Sequence, residues 1–205
     1  MKNLNIILAS ASPRRRTLLA QAGVRFTVHV SEVDETLTEA DIADPEKAAA
    51  KLADRKAGAV TQELLNANTQ GMHVIIGADT MVVLDGEIFG KPKDLADAKR
   101  MLRALSGRTH EVMTGVAVYM INAVNPEFVN VGRKTFTDIT RVTFKELSDE
   151  EIAEYLKKGE SFDKAGAYAA QGEGASIIAG VDGAMDTVIG LPVGRLLEMF
   201  PDLAH

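Results

Sequence analysis

The chain has 205 residues, 46% hydrophobic and 25% charged, which suits one α/β domain over residues 1–205, or two closely associated lobes around a cleft. A net charge of −6 argues against a general nucleic-acid surface, and the absence of cysteine excludes disulfides and thiolate metal sites. No apolar stretch approaches the roughly 18–20 residues a membrane helix needs, and no targeting segment is read ahead of the first strand, so a cytoplasmic protein is expected.

A first strand is predicted over Leu4 to Ala9. A helix follows from Pro13 to Ala22, with Ser12 as N-cap, Pro13 at the first helical position and Gly23 closing it. Phe26 to Val30 alternates and reads as a second strand, ending in the acidic stretch Ser31-Glu32-Val33-Asp34-Glu35. Asp44-Pro45 opens an alanine-rich helix to Leu65. Val74-Ile75-Ile76 reads as a short buried strand running into a turn, Gly77-Ala78-Asp79-Thr80. Met81–Leu84 and Glu87–Phe89 form a hairpin about Asp85-Gly86, closed by Gly90-Lys91-Pro92.

Leu95 to Leu105 is predicted to be an amphipathic helix with Ala98, Met101, Leu102 and Leu105 on its apolar face. Ser106 to His110 reads as a turn. Glu111–Ile121 and Gly132–Phe144 read as long antiparallel partners joined by a variable loop. Ser148-Asp149-Glu150-Glu151 is a capping box for a helix to about Lys158. Asp163 to Ile178 is rich in glycine and alanine, and Gly190-Leu191-Pro192 leads into a last helix ending near Phe200. The mixture of strand–helix units and hairpins predicts an α/β fold with a mixed sheet flanked by helices.

Three signals carry chemistry. Arg14, Arg15 and Arg16 occupy the first turn of a helix, where the dipole already disfavours cations. With free backbone N–H groups and the hydroxyls of Ser10 and Ser12, they form a candidate anion site, best suited to phosphate. The alternative is a solvated basic helix start, and Arg16 at least is expected to face water. The second signal is carboxylates placed after strands: Glu32, Asp34, Glu35 and Asp79, a donor set that suits a hard divalent cation. Each has a blander reading, as a solvated turn or a turn residue bonding its own backbone. The third is lysines that can meet phosphate oxygens: Lys56, Lys91 between Gly90 and Pro92, and Lys164 after Asp163. No Gly-x-x-x-x-Gly-Lys-Ser/Thr loop, Gly-x-Ser-x-Gly elbow or His-Glu-x-x-His helix is present. His29, His73, His110 and His205 are scattered and read as structural or exposed. The residues by themselves imply a metal-assisted enzyme, or a binder, of phosphorylated small molecules.

The run Ser10-Ala11-Ser12-Pro13-Arg14-Arg15 resembles the signature of the Maf family of nucleoside triphosphate pyrophosphatases, also called septum-formation inhibitor-like proteins. The similarity continues through Ser31–Glu35, Arg55-Lys56-Ala57, Gly77–Thr80, Gly90-Lys91-Pro92, Ser106–His110, Asp163–Tyr168, Gln171-Gly172 and Gly190-Leu191-Pro192. The resemblance implies hydrolysis of a nucleoside triphosphate between the α and β phosphates, a divalent cation (Mg2+ or Mn2+), a homodimer, and an elongated α/β fold with a central cleft, similar to inosine triphosphate pyrophosphatases. It matches Asp79 to the acidic base that activates the attacking water, Glu35 to a catalytic or metal-binding carboxylate, and Lys56 and Lys91 to catalytic lysines, with Glu35 and Asp79 as the metal candidates; which of the two carboxylates takes the proton and which holds metal does not follow from the sequence. It matches Ser10, Arg14 and Arg15 to phosphate contacts, and Arg14, Thr80 and Gln171 to specificity positions of the dTTP/UTP branch; Lys164 adds a further substrate contact. A 7-methyl-GTP pyrophosphatase and a non-catalytic nucleotide-binding regulator of cell division are the alternatives. A house-cleaning role on modified pyrimidine nucleotides is a variant of the favoured reading. Two departures stand out: Ala184-Met185-Asp186-Thr187 where the family often carries paired aromatics and Asn or Ser, and Ala170 where many relatives have Ile.

Overall fold

The computed structural model describes residues 4–125, 127–159 and 161–204, apart from the side chain of Glu173. Expectations placed on Met1, Lys2, Asn3, Pro126 and His205 lie outside the described residues.

The strands are β1 (Leu4–Leu8), β2 (Thr27–Val28), β3 (Gly71–Leu84), β4 (Glu87–Phe89), β5 (Thr109–Ala123), β6 (Asn130–Phe144) and β7 (Ile178–Asp182). The helices are α1 (Pro13–Gln21), α2 (Glu39–Ile42), α3 (Pro45–Asn66), α4 (Leu95–Leu105), α5 (Asp149–Lys157), α6 (Met185–Ile189) and α7 (Val193–Met199). Among the described residues the strands form one seven-stranded mixed sheet in the order β2-β1-β3-β5-β6-β7, with β4 on β3. β1 runs parallel to β2 and β3, and the other pairings are antiparallel.

Local chemistry explains most helix starts. Asp44 accepts from the Lys47 N–H at 3.2 Å with Pro45 behind it, Asp94 accepts from the Asp97 N–H at 2.8 Å, and Ser148 with Glu151 closes a reciprocal capping box. The hairpin turn has positive φ at both Asp85 (51°) and Gly86 (82°), as its two-residue length requires. Ala98, Met101, Leu102 and Leu105 are buried against Val82, Val112 and Phe144, as the periodicity predicts.

Three expectations are corrected. The second strand is only Thr27–Val28 rather than Phe26–Val30. It is an edge strand, paired among the described residues with β1 alone; beyond it the His29 N–H still donates to the Leu8 carbonyl at 3.2 Å, and then side chains take over, with His29 Nε2 and Ser31 Oγ both bonding Glu63, at 2.7 and 2.6 Å. Thr109 and His110, expected in a turn, begin β5. The largest correction concerns Gly77-Ala78-Asp79-Thr80, which lies inside β3. β5 pairs with β3 continuously from Gly71↔Ala123 to Val83↔Glu111, so the strand does not stop where the apolar run pauses. Helix α2, strand β7 and helix α6 were not anticipated.

Gly77 serves a close approach. A Cβ there would stand 2.4 Å from the Ala53 carbonyl oxygen, and one on Gly115 of β5 would stand 2.2 Å from the Ala49 carbonyl carbon. α3 therefore lies on the sheet backbone to backbone, through a seam of alanines (Ala49, Ala53, Ala57) over glycines.

The alternation of β3 then places the site. Ile75, Met81 and Val83 pack toward α3. Val74, Ile76 and Ala78 pack on the opposite face with residues of α1 and α7, and Val82 on that face with residues of α4 and α5. Asp79 belongs to the first set and Thr80 to the second, so neighbouring residues address opposite faces of the sheet. On its other edge β3 pairs with β1 only through Ile76 and with β4 only from Val82. Between them, Gly77 to Met81 form a bare stretch of strand edge among the described residues. That gap opens the cleft.

Candidate active site

A cleft of about 650 Å³ straddles the bare edge of β3, reaching Arg15 and Thr80 on one side and Glu35, Lys56 and Asp79 on the other.

On the first side, the three arginines have separate fates. Arg15 is half-buried and its guanidinium is clamped by three acceptors: Nε donates to the Gly190 carbonyl at 2.8 Å, Nη1 to Ser10 Oγ at 3.1 Å and Nη2 to Thr80 Oγ1 at 3.2 Å. Burial lowers its pKa and the nearby Asp79 carboxylate opposes that fall. Ser10 is buried and also accepts from the Ser12 N–H at 3.3 Å. Arg14 reaches across to Asp163 at 3.3 Å. Arg16 faces solvent and donates to the Ala11 carbonyl at 2.9 Å, as expected for a basic helix start.

On the second side, Lys56 of α3 places its Nζ 2.6 Å from Asp79 Oδ1 and 3.2 Å from Glu35 Oε2. The glycine–alanine seam brings α3 low enough for this contact. Asp79 and Lys56 are only 13% and 16% exposed, whereas Glu35 is 57% exposed on its loop. That loop is tied to α3 by Arg55, whose Nη1 donates to the carbonyls of Asp34 (2.8 Å) and Thr36 (2.9 Å). Asp34 turns away and accepts from the Thr36 N–H at 2.8 Å, and the Thr36 side-chain and backbone bonds hold its carboxyl below the usual range. The acidic stretch thus contributes Glu35 to the cleft, while Asp34 shapes the loop.

The end of the cleft is built by residues 163–171. The Gly166 N–H donates to the Gly90 carbonyl at 3.1 Å, which ties this segment to the loop carrying Lys91. The Ala169 N–H donates to Tyr155 Oη at 3.0 Å. Gly166 turns at φ +69°, and a Cβ there would press on Val82 at 3.1 Å. Lys164 pairs with Asp163 at 2.6 Å. Burial alone would raise the Asp163 carboxyl, but the Lys164 hydrogen bond and the charges of Lys164 and Arg14 hold it below the usual value. Lys91 and Gln171 are exposed on the cleft wall, beside Ala170.

Tyr168, also on the wall, is anchored from behind. His110 Nε2 lies 2.7 Å from its hydroxyl, and both rings meet Phe144 edge to face. Burial pushes the His110 pKa from 6.5 down to about 4, so the ring is neutral in the folded protein at neutral pH. Unfolding releases it to its ordinary value, so between pH 6.5 and about 4 the unfolded state binds the extra proton. Stability is therefore expected to fall as pH drops through that window, by at most about 3 kcal/mol from this residue. Urea unfolding of wild type and His110→Gln at several pH values checks this: the variant should show a flatter fall.

The donor set can be tested against the divalent cation the resemblance implies. Among the described residues no group of three His, Asp or Glu side chains could cage a metal ion. Glu35 and Asp79 do converge on one cationic point, the Lys56 ammonium. Two carboxylates suit magnesium or manganese, which complete their shells with water and substrate phosphate.

The fold and site define an α/β protein with a charged cleft, lined by an arginine fork on one face of a central strand and by carboxylates and a lysine on the other. The family model described as Maf-like protein matches residues 5–203, and the chain belongs to that family. It is similar to a dTTP/UTP pyrophosphatase of Geotalea uraniireducens (strain Rf4), 47% identical over 194 residues, which cover 95% of this chain and 92% of that protein. Another relative, the dTTP/UTP pyrophosphatase of Clostridioides difficile (strain 630), is 44% identical over 96% of this chain and 93% of its own length. A solved nucleoside-triphosphatase / dITP/XTP pyrophosphatase from Mycobacterium abscessus ATCC 19977 / DSM 44196 aligns at TM-score 0.42 and 14% identity, over 96% of this chain and 93% of that one, too distant to bear on the site.

The structure thus brings Ser10, Arg14, Arg15, Glu35, Lys56, Asp79, Thr80, Lys91, Lys164 and Gln171 around one cleft. Sequence reasoning missed Asp163, which bridges Arg14 and Lys164, and Thr114, buried behind Thr80. A polar residue in the apolar run of β5 was the available signal for Thr114.

Proposed function

We propose that this chain is a nucleoside triphosphate pyrophosphatase that hydrolyses dTTP and UTP to the monophosphate and pyrophosphate. The observation that carries the reading is the pairing of opposite charge across the bare edge of β3: an arginine fork over one face, and Asp79 with Lys56 over the other. Relatives named dTTP/UTP pyrophosphatase at 42–47% identity over nearly the whole chain support the substrate class.

In this reading Arg15, Arg14, Ser10, Lys91 and Lys164 gather the triphosphate charge. Asp79 Oδ1 is held by Lys56, which leaves Oδ2 to take the proton of the attacking water. Water forms a bond to the α-phosphorus, the bond from that phosphorus to the α–β bridging oxygen breaks, and the electron pair leaves with pyrophosphate. When bound at Glu35 and Asp79, a divalent cation supplies charge neutralisation at the phosphate oxygens. Gln171 offers a donor and an acceptor to a pyrimidine edge. The family resemblance extends the proposal to a homodimer, and the composition of the sequence extends it to a cytoplasmic protein that engages neither nucleic acid nor membrane. The net charge of −6 supports the former exclusion. Among the described residues no helix is long and apolar enough to cross a membrane.

The test is pyrophosphate release from dTTP, UTP, CTP, ATP, GTP and 7-methyl-GTP with magnesium or manganese, against a chelator control. Metal-dependent release from dTTP and UTP is expected. Turnover of 7-methyl-GTP alone would overturn the role of Gln171, and silence from folded protein would overturn catalysis itself.

A further inference from the structure

The Thr80–Thr114 pair crosses from β3 to β5 directly behind the arginine fork. The two Oγ1 atoms lie 2.9 Å apart, and Thr114 Oγ1 lies 2.8 Å from the Thr187 carbonyl. Thr114 and Thr187 are fully buried. A hydroxyl carries a single proton, and a carbonyl can only accept. The Thr114 proton is therefore committed to the Thr187 carbonyl. Thr80 must then donate to Thr114, which leaves its oxygen purely an acceptor toward the cleft. That acceptor takes Arg15 Nη2 at 3.2 Å. The hydrogen bonds run one way, from Arg15 through Thr80 and Thr114 to the Thr187 carbonyl, and each polarises the next.

The far end of the chain is fixed as well. Thr187 Oγ1 donates to Asp138 Oδ2 at 2.5 Å, and Arg195 holds the other Asp138 oxygen at 2.8 Å. The short helix α6 thus supplies a fixed carbonyl for the relay, and Gly190 just past it supplies another directly to Arg15 Nε.

We infer that Thr114 is a positioning residue for anion capture: it fixes the direction of the Thr80 hydroxyl proton and so holds the Arg15 fork in its phosphate-ready orientation. Thr80, expected from the sequence to touch substrate, is assigned to the same relay as the holder of Arg15. Without the Thr114 hydroxyl, the Thr80 proton loses its acceptor and can swing toward the guanidinium, where donor would face donor. The inference rests on the pyrophosphatase reading for its kinetic readout only.

The experiment uses the full chain as wild type, Thr114→Val, Thr114→Ser, Thr80→Val and the double variant Thr80→Val/Thr114→Val. It reads KM and kcat for UTP by pyrophosphate release, and the Kd of inorganic tripolyphosphate by calorimetry. Thr114→Val should raise KM and the tripolyphosphate Kd about tenfold, the scale of one charge-assisted hydrogen bond, with kcat within about twofold. Thr114→Ser should restore both. Thr80→Val leaves the buried Thr187 carbonyl its donor, so it keeps the test alive if Thr114→Val does not fold, and it should raise the same Kd. The double variant should bind no more weakly than Thr80→Val, because one relay is broken only once. An unchanged Kd in both single valine variants, a loss confined to kcat, or failure of serine to rescue would overturn the inference. If wild type releases no pyrophosphate, the catalytic reading falls while the tripolyphosphate series still decides this one. Absence of tripolyphosphate binding to wild type would overturn this inference and leave the catalytic reading to the nucleotide panel.

Discussion

Asp79→Asn is expected to lower kcat for UTP by about 10²–10⁴-fold, the scale of a lost general base. Asparagine keeps the shape and can still accept from Lys56 through its amide oxygen, so the contact between α3 and β3 survives. It cannot take a proton from water, and it removes the negative charge that pairs with Lys56 and is felt through space by Arg15. Thermal unfolding should therefore stay close to wild type while pyrophosphate release nearly stops. Turnover at the wild-type rate would end the proposed role of Asp79.

Gly115→Ala is expected to damage both stability and activity. The added Cβ would stand 2.2 Å from the Ala49 carbonyl carbon and 2.3 Å from the Ala50 nitrogen, atoms of helix backbone that no side-chain rotation can move. α3 must lift off the sheet, at a cost of about 1–3 kcal/mol or more. Lifting also draws Lys56 away from Asp79, whose 2.6 Å contact depends on that seam. Gly180→Ala is the matched control, because its Cβ would meet nothing within 4 Å. Urea unfolding and pyrophosphate release should separate the two variants clearly. Equal stability would mean that the helix rides higher on the sheet than its contacts indicate.

The legible parts of the fold were those with local causes. Ser12 and Pro13 start α1, Asp44 and Pro45 start α3, and Asp85-Gly86 turns the hairpin, each through bonds made within a few residues. The segment Gly77–Thr80 was misread because its strand state depends on β5, whose matching residues, Thr114 to Ala117, lie more than thirty positions later. A glycine after three apolar residues looks like a turn; here it makes room for a helix. The same distance in sequence hid Thr114 and Asp163, whose partners lie on other elements. The candidate residues of the cleft were named from their motifs, but their division between two faces of one strand was not visible until the register of β3 was known. Ala184-Met185-Asp186-Thr187 read as a departure from the family pattern, and within it Thr187 is the buried end of the relay to Arg15.

Strand edges left bare in the middle of a sheet are ready templates for a second strand, and through it for aggregation. Here Asp79 to Met81 of the open stretch line a cleft whose walls carry Arg15, Lys56 and Glu35. An apolar strand docking there would have to strip water from those charges without giving them partners. A polyphosphate brings its own charges to pair with the cationic groups. The side chains that suit the cleft to a small anion also protect its backbone from a neighbouring chain. Neutralising several of them at once should therefore cost solubility as well as binding.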